Sequence, residues 1–474
     1  MHHHQQPTLP PPFAPNASAT TNLPKDHTRI TLYIILATSF FSLLFIISIP
    51  SPSSSTSSQS FIKIRPDPVL FPDRPISPTE LPSGPAPPSI AYLISGSAGD
   101  SARILRLLFA SYHPRNHYLL HLDLSAPQTE RDRLAVTVQS VPIFKAAQNV
   151  DVIGKADYAY PRGSSTISST LHGASVLLRL ASNWDWFISL NAGDYPLVTQ
   201  DDLLHILSYL PKDLNFVNHT GYIGWKESKR LKPIIVDTGL YLLEKHEIFY
   251  ASQKRELPNA FRLFSGARVS IQNASISIQY IEKCYVTVVG DYMWFHAYLY
   301  GIKGSSFTML TRSFMEFCIL GTDNLPRTLL MYFANTPYSF TNYFPTVLCN
   351  SDQFKRTVIN HNLQYIAFNK SSTKKPPQMN SADFDAMIQS GAAFATQFRF
   401  DDPVLDRIDQ EILKRSPGKA VPGGWCLGEP DNGTCSVWGD ADILRPGPGA
   451  RRLEKRIVES LSDGRFQSQQ CQEE

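Results

Sequence analysis

The sequence is poor in charge and in cysteine for its length. Asp, Glu, Lys and Arg supply 18% of the 474 residues, and the formal net charge is +3. No Lys/Arg-rich block stands out, so the electrostatic footprint of a nucleic-acid-binding protein is missing. The six cysteines form no Cys-x-x-Cys pair and no Cys/His spacing typical of zinc. With 474 residues, the chain is long enough for one large domain or two domains of ordinary size.

One uncharged run lies near the N-terminus. Residues 30–49, ITLYIILATSFFSLLFIISI, would form a helix of about 30 Å, the thickness of a bilayer core. A cleaved signal peptide is the competing interpretation, but no small-residue cleavage site ends the run cleanly. Because Lys25 and Arg29 precede the run, we predict a cytosolic tail at 1–29 and a transmembrane anchor at 30–49.

The next segment is rich in Ser and Pro. Residues 50–88 include SPSSSTSSQS and PSGPAPP, a composition typical of an extended, disordered stem without a core. An anchor, a stem and a lumenal domain at 89–471 form the layout of a single-pass type II Golgi membrane enzyme. This prediction rests on architectural analogy.

A lumenal domain would carry covalent modifications. Asn218, Asn369 and Asn432 begin Asn-x-Ser/Thr tripeptides and are predicted glycosylation sites. Cysteines tend to pair in an oxidising compartment. Because only the turn sequence LGEPDNGT separates Cys426 from Cys435, we predict a local disulfide between them, and the other pairings stay open.

Short apolar runs alternate with helical patterns from residue 89 onward. Four of these runs are predicted strands: IAYLISG (90–96), HYLLHLDL (117–124), VDVIG (150–154) and WDWFISL (184–190). Together with intervening helices such as 165–181, they predict an α/β fold with a mostly parallel central sheet. Ligands of such folds bind at the carboxyl ends of the strands, where Gly96, Asp123 and Asp194 lie.

Several long motifs resemble a known family. IAYLISGS (90–97), WDWFISLNAGDYPLVTQDDL (184–203), PGGWC (422–426) and the aromatic-rich block at 305–351 resemble the core-2/I-branching glycosyltransferases. The resemblance covers residues 89–471 and is strongest to a plant branch similar to β-glucuronosyltransferases that act on arabinogalactan. Because the 305–351 block has few charges, we also predict that it is packed rather than solvated.

The resemblance implies a GT-A-like domain and an inverting transfer that needs no metal cofactor. The donor would be a UDP-sugar, with glucuronic acid as the sugar, and the acceptor a galactan-type glycan of arabinogalactan protein. Transfer of N-acetylglucosamine or xylose is an alternative, because pocket shape selects the sugar. Metal-dependent relatives bind the diphosphate through Asp-x-Asp. Here Asp440-Ala-Asp442 lies in a Gly/Pro-rich segment, and we interpret it as a turn or helix cap.

The resemblance also assigns residues to the donor. The predicted donor-binding residues are Gly96, Asp123, Lys374, Lys375 and Arg399. Without a metal, basic side chains would neutralise the leaving diphosphate. The family has a Lys in a Phe-Ala-x-Lys-Phe pattern where this chain has Gln397, and Arg399 is predicted to substitute for it. The competing interpretations are a turn role for Asp123 and a solvated patch for the basic residues.

The acceptor side and the base follow from the same resemblance. The predicted acceptor-binding residues are Lys229, Arg230, Thr341 and Asn342, although the two basic residues would equally fit a surface charge run. Inverting transfer needs a carboxylate to take the acceptor proton. The family's Glu matches Thr341 or Asn342, and neither has a carboxylate. Asp194 is therefore the predicted base, with a structural or substrate-binding role as its alternative.

Residues 267–304 are anomalous. They separate LPNAFRLFSG (257–266) from SSFTMLTRSF (305–314), which are continuous in the family. We hypothesise that this hydrophobic segment is a retained intron or a gene-model error, since its removal restores the motif. Together with Gln397 and the missing Glu, the segment favours an alternative function, a catalytically impaired glycan-binding pseudoenzyme of the same fold.

Overall fold

The computed structural model describes residues 70, 85–221, 223, 225–242, 248–265, 307–366, 379–428, 435, 437–462 and 471. These residues belong to one compact unit, Arg65–Glu474. The predicted tail, the predicted anchor, most of the predicted stem and the 267–304 segment lie outside them. Among the described residues, no helix is long and apolar enough to cross a membrane.

The strands of the described part are, in chain order, β1 (Ile90–Gly96), β2 (His117–Leu122), β3 (Val150–Val152), β4 (Trp186–Asn191), β5 (Asp194–Pro196), β6 (Asn215–Phe216), β7 (Pro233–Asp237), β8 (Ile248–Lys254), β9 (Met309–Thr311), β10 (Val358–Ile359), β11 (Gln364–Ile366) and β12 (Phe394–Thr396). Seven of them form the central sheet, in the order β10-β6-β9-β4-β1-β2-β3. In this sheet β9 runs antiparallel to β4 and β6, and the other pairs are parallel. The α/β prediction is confirmed, and the sheet is mixed because of β9.

The helices of the described part are α1 (Ser101–Ala110), α2 (Gln128–Ser140), α3 (Pro142–Ala147), α4 (Ser165–Leu180), α5 (Gln200–Ser208), α6 (Trp225–Leu231), α7 (Arg312–Ile319), α8 (Asn324–Ala334), α9 (Phe340–Asn350), α10 (Phe384–Gln389), α11 (Pro403–Glu411) and α12 (Pro448–Leu461). The spacing of the apolar residues in each helix explains which face of that helix is buried. In α1, for example, Ile104, Leu107 and Leu108 follow the i, i+3, i+4 pattern and are buried.

The central sheet separates two hydrophobic cores. Successive side chains of a strand point to opposite faces, so β1 sends Tyr92 and Ile94 into one core and Ala91 and Leu93 into the other. The first core also contains apolar residues of α1, α2, α3, α5 and α12, and the second those of α4, α7, α8 and α9. On the second side, Gly173 lets α4 approach closely, since a Cβ there would lie 2.7 Å from Leu93 Cδ1.

The aromatic-rich block supplies much of the second core. Its described part contains β9, α7, α8 and α9, and its large side chains Phe314, Phe333, Tyr343 and Phe344 are fully buried. The prediction that this block is packed is confirmed. Burying aromatic surface of this extent is a dominant stabilising contribution in a core.

A second, three-stranded sheet brings distant segments to the end of β4. Its order is β11-β12-β5, and Asp194 of β5 pairs with Thr396 of β12. The residues that follow β12 therefore lie beside the turn between β4 and β5. Phe398 donates its backbone N–H to the carbonyl of Gly193 at 3.0 Å, which fixes this neighbourhood.

Two disulfides connect the described residues. One joins Cys426 to Cys435, as the spacing predicts, and the other joins Cys349 to Cys471 across 122 residues. The second bond connects the end of α9 to the C-terminal tail, a pairing that no sequence pattern indicated. Cys318 forms no disulfide with another described cysteine.

Candidate active site

The carboxyl ends of β1, β2 and β4 meet at one edge of the sheet. The backbone N–H of Asp123, just after β2, donates to the carbonyl of Gly96 at 2.8 Å. Gly96 has no room for a side chain, because a Cβ there would lie 2.8 Å from Asp100 Cβ. The predicted residues Gly96 and Asp123 are thus brought together at the edge where α/β folds bind ligands.

The Asp123 carboxylate is buried and holds two backbone segments. Its Oδ1 accepts from the N–H of Ser125 at 2.7 Å, and its Oδ2 accepts from the N–H of Ala159 at 2.6 Å. The second bond places the stacked rings of Tyr158 and Tyr160, with centroids 5.6 Å apart, close to the strand end. Asp123 therefore has the turn role considered above. Its bond to Ala159 also positions Tyr158 and Tyr160 at this edge of the sheet.

Asp194 is a buried carboxylate with few hydrogen-bond donors. Its Oδ2 accepts from the N–H of Asn191 at 2.7 Å, and its Oδ1 accepts from Gln364 Nε2 at 3.2 Å. Burial raises the pKa of Asp194 to about 6, although Thr396, Asn191 and Arg103 act in the opposite direction. A carboxyl group with such a pKa exchanges its proton near neutral pH, as a general base must.

A small open pocket adjoins Asp194. Its lining residues are Arg103, Arg106, Ala192, Asp194, Tyr195, Phe398, Arg399, Phe400 and Leu405. Three arginines and one aspartate therefore share the pocket, and they come from α1, β5 and the segment after β12. An arginine-rich pocket of this kind suits a phosphate or a carboxylate.

Comparison with known proteins gives this site a context. The sequence profile described as "Branch: Core-2/I-Branching enzyme" matches residues 90–276 and 280–388. The chain belongs to the core-2/I-branching enzyme family. It is a glycosyltransferase, and between residues 90 and 388 the match leaves out only residues 277–279, within the 267–304 segment.

Three relatives come from Arabidopsis thaliana. Beta-glucuronosyltransferase GlcAT14A is 44% identical over 403 residues, which are 85% of this chain and 82% of the relative. Beta-glucuronosyltransferase GlcAT14B is 45% identical over 384 residues, 81% of this chain and 80% of the relative. Beta-glucuronosyltransferase GlcAT14C is 39% identical over 448 residues, 94% of this chain and 98% of the relative.

Not all residues that the family resemblance assigned to the donor can be placed. Arg399 lines the pocket with its side chain 62% exposed, and its nearest acidic partner, Asp401, is 3.9 Å away. Gln397 lies against Gly193, where a Cβ would be 3.3 Å from its Cγ. Lys374 and Lys375 lie outside the described residues, as do the predicted glycosylation sites Asn369 and Asn432.

The residues that the resemblance assigned to the acceptor lie on α6 and α9. Lys229 is exposed, whereas Arg230 is half-buried and pairs with Glu227 at 2.6 Å. Arg230 also lies over the ring of Tyr338, 5.3 Å from its centroid. None of the four predicted residues lines the pocket beside Asp194.

The two positions that match the family's Glu are turned toward their own backbone. Thr341 donates its hydroxyl to the carbonyl of Tyr338 at 3.0 Å. Asn342 is fully buried, its amide donates to the same carbonyl at 3.1 Å, and its Oδ1 has no hydrogen-bond partner. Neither side chain supplies a proton acceptor with the basicity of a carboxylate.

Two further predictions concern modification and metal binding. Asn218 is half-buried just after β6. Asp440-Ala-Asp442 forms a turn in which Asp440 accepts from the N–H of Asp442 at 2.8 Å, and Asp442 pairs with Arg115. Within the described residues, the one group of three possible metal ligands is His219, Cys349 and Cys471, and the disulfide withholds both thiolates from a metal.

Sequence reasoning missed Arg103 and Arg106. The signal was available in DSARILRLL, where two arginines three residues apart face the same side of the first helix after β1. That pattern is common on solvated helix faces, so it does not by itself indicate a site. Only the pairing of β12 with β5, which brings Phe398 and Arg399 to this helix, makes it part of a pocket.

Proposed function

We propose that this glycosyltransferase moves glucuronic acid from UDP-glucuronate to a galactan-type glycan of arabinogalactan protein. The observation that carries the proposal is the 39–45% identity to three β-glucuronosyltransferases over at least four fifths of both chains. The arginine-lined pocket beside Asp194 supports it, since both the diphosphate and the sugar carboxylate of this donor are anions.

Asp194 is the proposed general base. The acceptor hydroxyl gives its proton to the Asp194 carboxylate while its oxygen bonds to the anomeric carbon of the sugar. The bond from that carbon to the phosphate oxygen breaks, UDP leaves, and the configuration inverts. The raised pKa of Asp194, about 6, matches this proton transfer near neutral pH.

The reaction is proposed to proceed without a metal cofactor. The Asp440-Ala-Asp442 motif is engaged in a turn and in an ion pair with Arg115. Arg399 lines the pocket at the strand ends and is suitably charged to stabilise the leaving diphosphate. Activity that is unchanged by EDTA would agree with this mechanism.

The proposed location is the Golgi membrane, with residues 30–49 as a single anchor and the catalytic part in the lumen. The uncharged 20-residue run and the Ser/Pro-rich segment after it support this topology. In sealed microsomes, the folded part should resist added protease until detergent is present. Digestion without detergent would contradict the topology.

The function is tested with the full-length protein in detergent micelles. UDP-glucuronate, UDP-N-acetylglucosamine and UDP-xylose are offered separately with β-galactan oligosaccharides, and products are analysed by mass spectrometry and NMR. We expect a β-linked glucuronate product, and a loss of kcat of at least about 100-fold in Asp194→Asn. Transfer from another donor but not from UDP-glucuronate would overturn the assignment.

A second candidate is a catalytically impaired glycan-binding protein. It is favoured by Thr341 and Asn342, which lack the carboxylate that the family resemblance leads one to expect there. Binding of UDP and galactan without turnover would support it. In that case Thr341→Glu, at the half-buried position, should produce turnover, whereas Thr341→Gln should not.

A further inference from the structure

Arg103 is held in a fixed position at the mouth of the Asp194 pocket. Its Nη1 donates to Asp100 Oδ1 at 2.9 Å, and its Nη2 donates to the carbonyl of Phe398 at 2.9 Å. The side chain is 22% exposed, so it is mostly desolvated but reachable from the pocket. A guanidinium that is already oriented loses little conformational freedom when it binds an anion.

Two neighbours of Arg103 in the described part of the chain, Gln397 and Arg106, are poor ligands for an anion. Gly193 lies between Arg103 and Gln397, because a Cβ there would be 3.2 Å from Arg103 Nη2 and 3.5 Å from Gln397 Nε2. Gln397 is neutral. Arg106 is bound to Asp406 at 2.7 Å and to Asp409 at 2.8 Å, so two carboxylates compensate its charge, whereas Arg103 pairs with Asp100 alone.

The remaining cation of the pocket is Arg399. It is 62% exposed and has only the distant Asp401 as an acidic partner, so it is free to close over a ligand but is not positioned in advance. Apart from the doubly paired Arg106, the pocket therefore combines one fixed guanidinium, Arg103, and one adaptable guanidinium, Arg399. This arrangement suits a diphosphate, whose charge is spread over several oxygens.

We infer that Arg103 is a donor-binding residue that contacts the diphosphate of the nucleotide sugar. It supplies the positive charge that the neutral Gln397 cannot supply there. The inference rests on the proposed use of a UDP-sugar. It assigns the anion-binding role to a residue of α1, a helix in which the sequence indicated no site. Arg399, which lines the same pocket, completes the contact.

The test measures binding rather than transfer. Dissociation constants of UDP and uridine are determined by calorimetry for full-length wild-type protein, Arg103→Gln and Arg103→Lys. We expect Arg103→Gln to weaken UDP binding at least 10-fold and to change uridine binding less than 2-fold, with Arg103→Lys between the two. Arg179→Gln, an exposed residue of α4 with the same change of charge, is the matched control.

A rescue variant separates a charge role from a structural one. Gln397→Lys places a cation against Gly193, so Arg103→Gln/Gln397→Lys should recover most of the lost UDP affinity. Thermal unfolding without ligand checks that the variants are folded.

Three results would overturn the inference: equal losses for UDP and uridine, no loss for UDP, or a wild-type protein that does not bind UDP. Arg103-dependent UDP binding without glucuronate transfer would refute the proposed function and leave the inference standing.

Discussion

Asp237 at the end of β7 and Asp194 at the start of β5 are both buried aspartates, but the two carboxylates differ in what surrounds them. Asp237 accepts from the backbone N–H groups of Ser164 and Ser165 at 2.8 Å and of Gly239 at 2.9 Å. Asp194 accepts from only one backbone N–H, that of Asn191, and otherwise from the side chains of Gln364 and Thr396, and it borders an open pocket. Burial that outweighs the available hydrogen-bond donors favours the protonated form of a carboxylate, and this is the situation of Asp194.

This difference means that Asp237 stabilises the fold, whereas Asp194 is available for proton transfer. Asp237 joins β7 to the first turn of α4, where unpaired N–H groups need an acceptor. There is also no space beside it, since a Cβ at Gly163 would lie 1.9 Å from Asp237 Oδ2. Asp194 binds fewer backbone groups and borders a pocket, and its pKa of about 6 leaves it ready to exchange a proton.

The largest expected effect comes from Asp237→Ala. Three buried N–H groups would lose their acceptor, which costs about 4 kcal/mol of unfolding free energy in total. Asp237→Asn retains one carbonyl oxygen and should lose about half as much. Urea unfolding followed by tryptophan fluorescence measures both variants. A loss below about 1 kcal/mol in Asp237→Ala would show that water replaces the carboxylate.

The second prediction concerns the pH dependence set by Asp194. Because its pKa is raised in the folded protein, the folded state holds this proton more tightly than the unfolded state. Its stabilising contribution is present below about pH 4 and is lost as the pH rises through about 6. Between pH 4 and pH 7, wild-type protein should therefore lose about 2–3 kcal/mol relative to Asp194→Asn.

The measurement is urea unfolding of both proteins at a series of pH values. The difference between them isolates Asp194 from the other titrating groups. Parallel pH curves would mean that the Asp194 carboxylate is hydrated, and the contrast with Asp237 would disappear.

A smaller effect is expected for Asp123→Asn. The amide oxygen can accept from either Ser125 or Ala159, but its NH₂ group then faces the other N–H, at a cost of about 2 kcal/mol. Since the Ala159 bond positions Tyr158 and Tyr160, uridine binding should weaken as well. Asp132→Asn, an exposed residue of α2, serves as the control. Unchanged uridine affinity would restrict Asp123 to folding.

The smallest effect is expected at Glu130, a half-buried residue of α2. Its carboxylate accepts from the N–H of Gly99 at 3.0 Å and of Ser101 at 3.3 Å, just before and at the start of α1. Glu130→Gln retains one acceptor, so the loss should be about 0.5 kcal/mol. If the loss of unfolding free energy is as large as in Asp123→Asn, Glu130 has a structural role like that of Asp237.

The sequence predicted the regular part of the fold well. β1 was predicted at 90–96 and occupies Ile90–Gly96, and the predicted helix at 165–181 is α4, Ser165–Leu180. These segments have strong apolar periodicity, which the core enforces. The short strands β9 and β12, with three residues each, have too little pattern to be recognised, and they form only because their partners in the sheets are already in place.

The site was predicted only in part. Asp194 and Arg399 were named from the sequence, and the structure brings both to one pocket. Arg103 was missed, because residues almost 300 positions apart in sequence meet there only through the pairing of β5 with β12. The predicted acceptor residues of α6 and α9 lie outside that pocket.

By itself, the sequence determined the α/β class, the packed aromatic block and the family, because these depend on periodicity and on long motifs that each lie within one segment of the chain. Only the tertiary structure decided which carboxylates are occupied by backbone donors and which arginines face a common pocket. Burial and hydrogen bonding set the proton affinity of an aspartate, and both are fixed by neighbours that the chain brings together from distant positions.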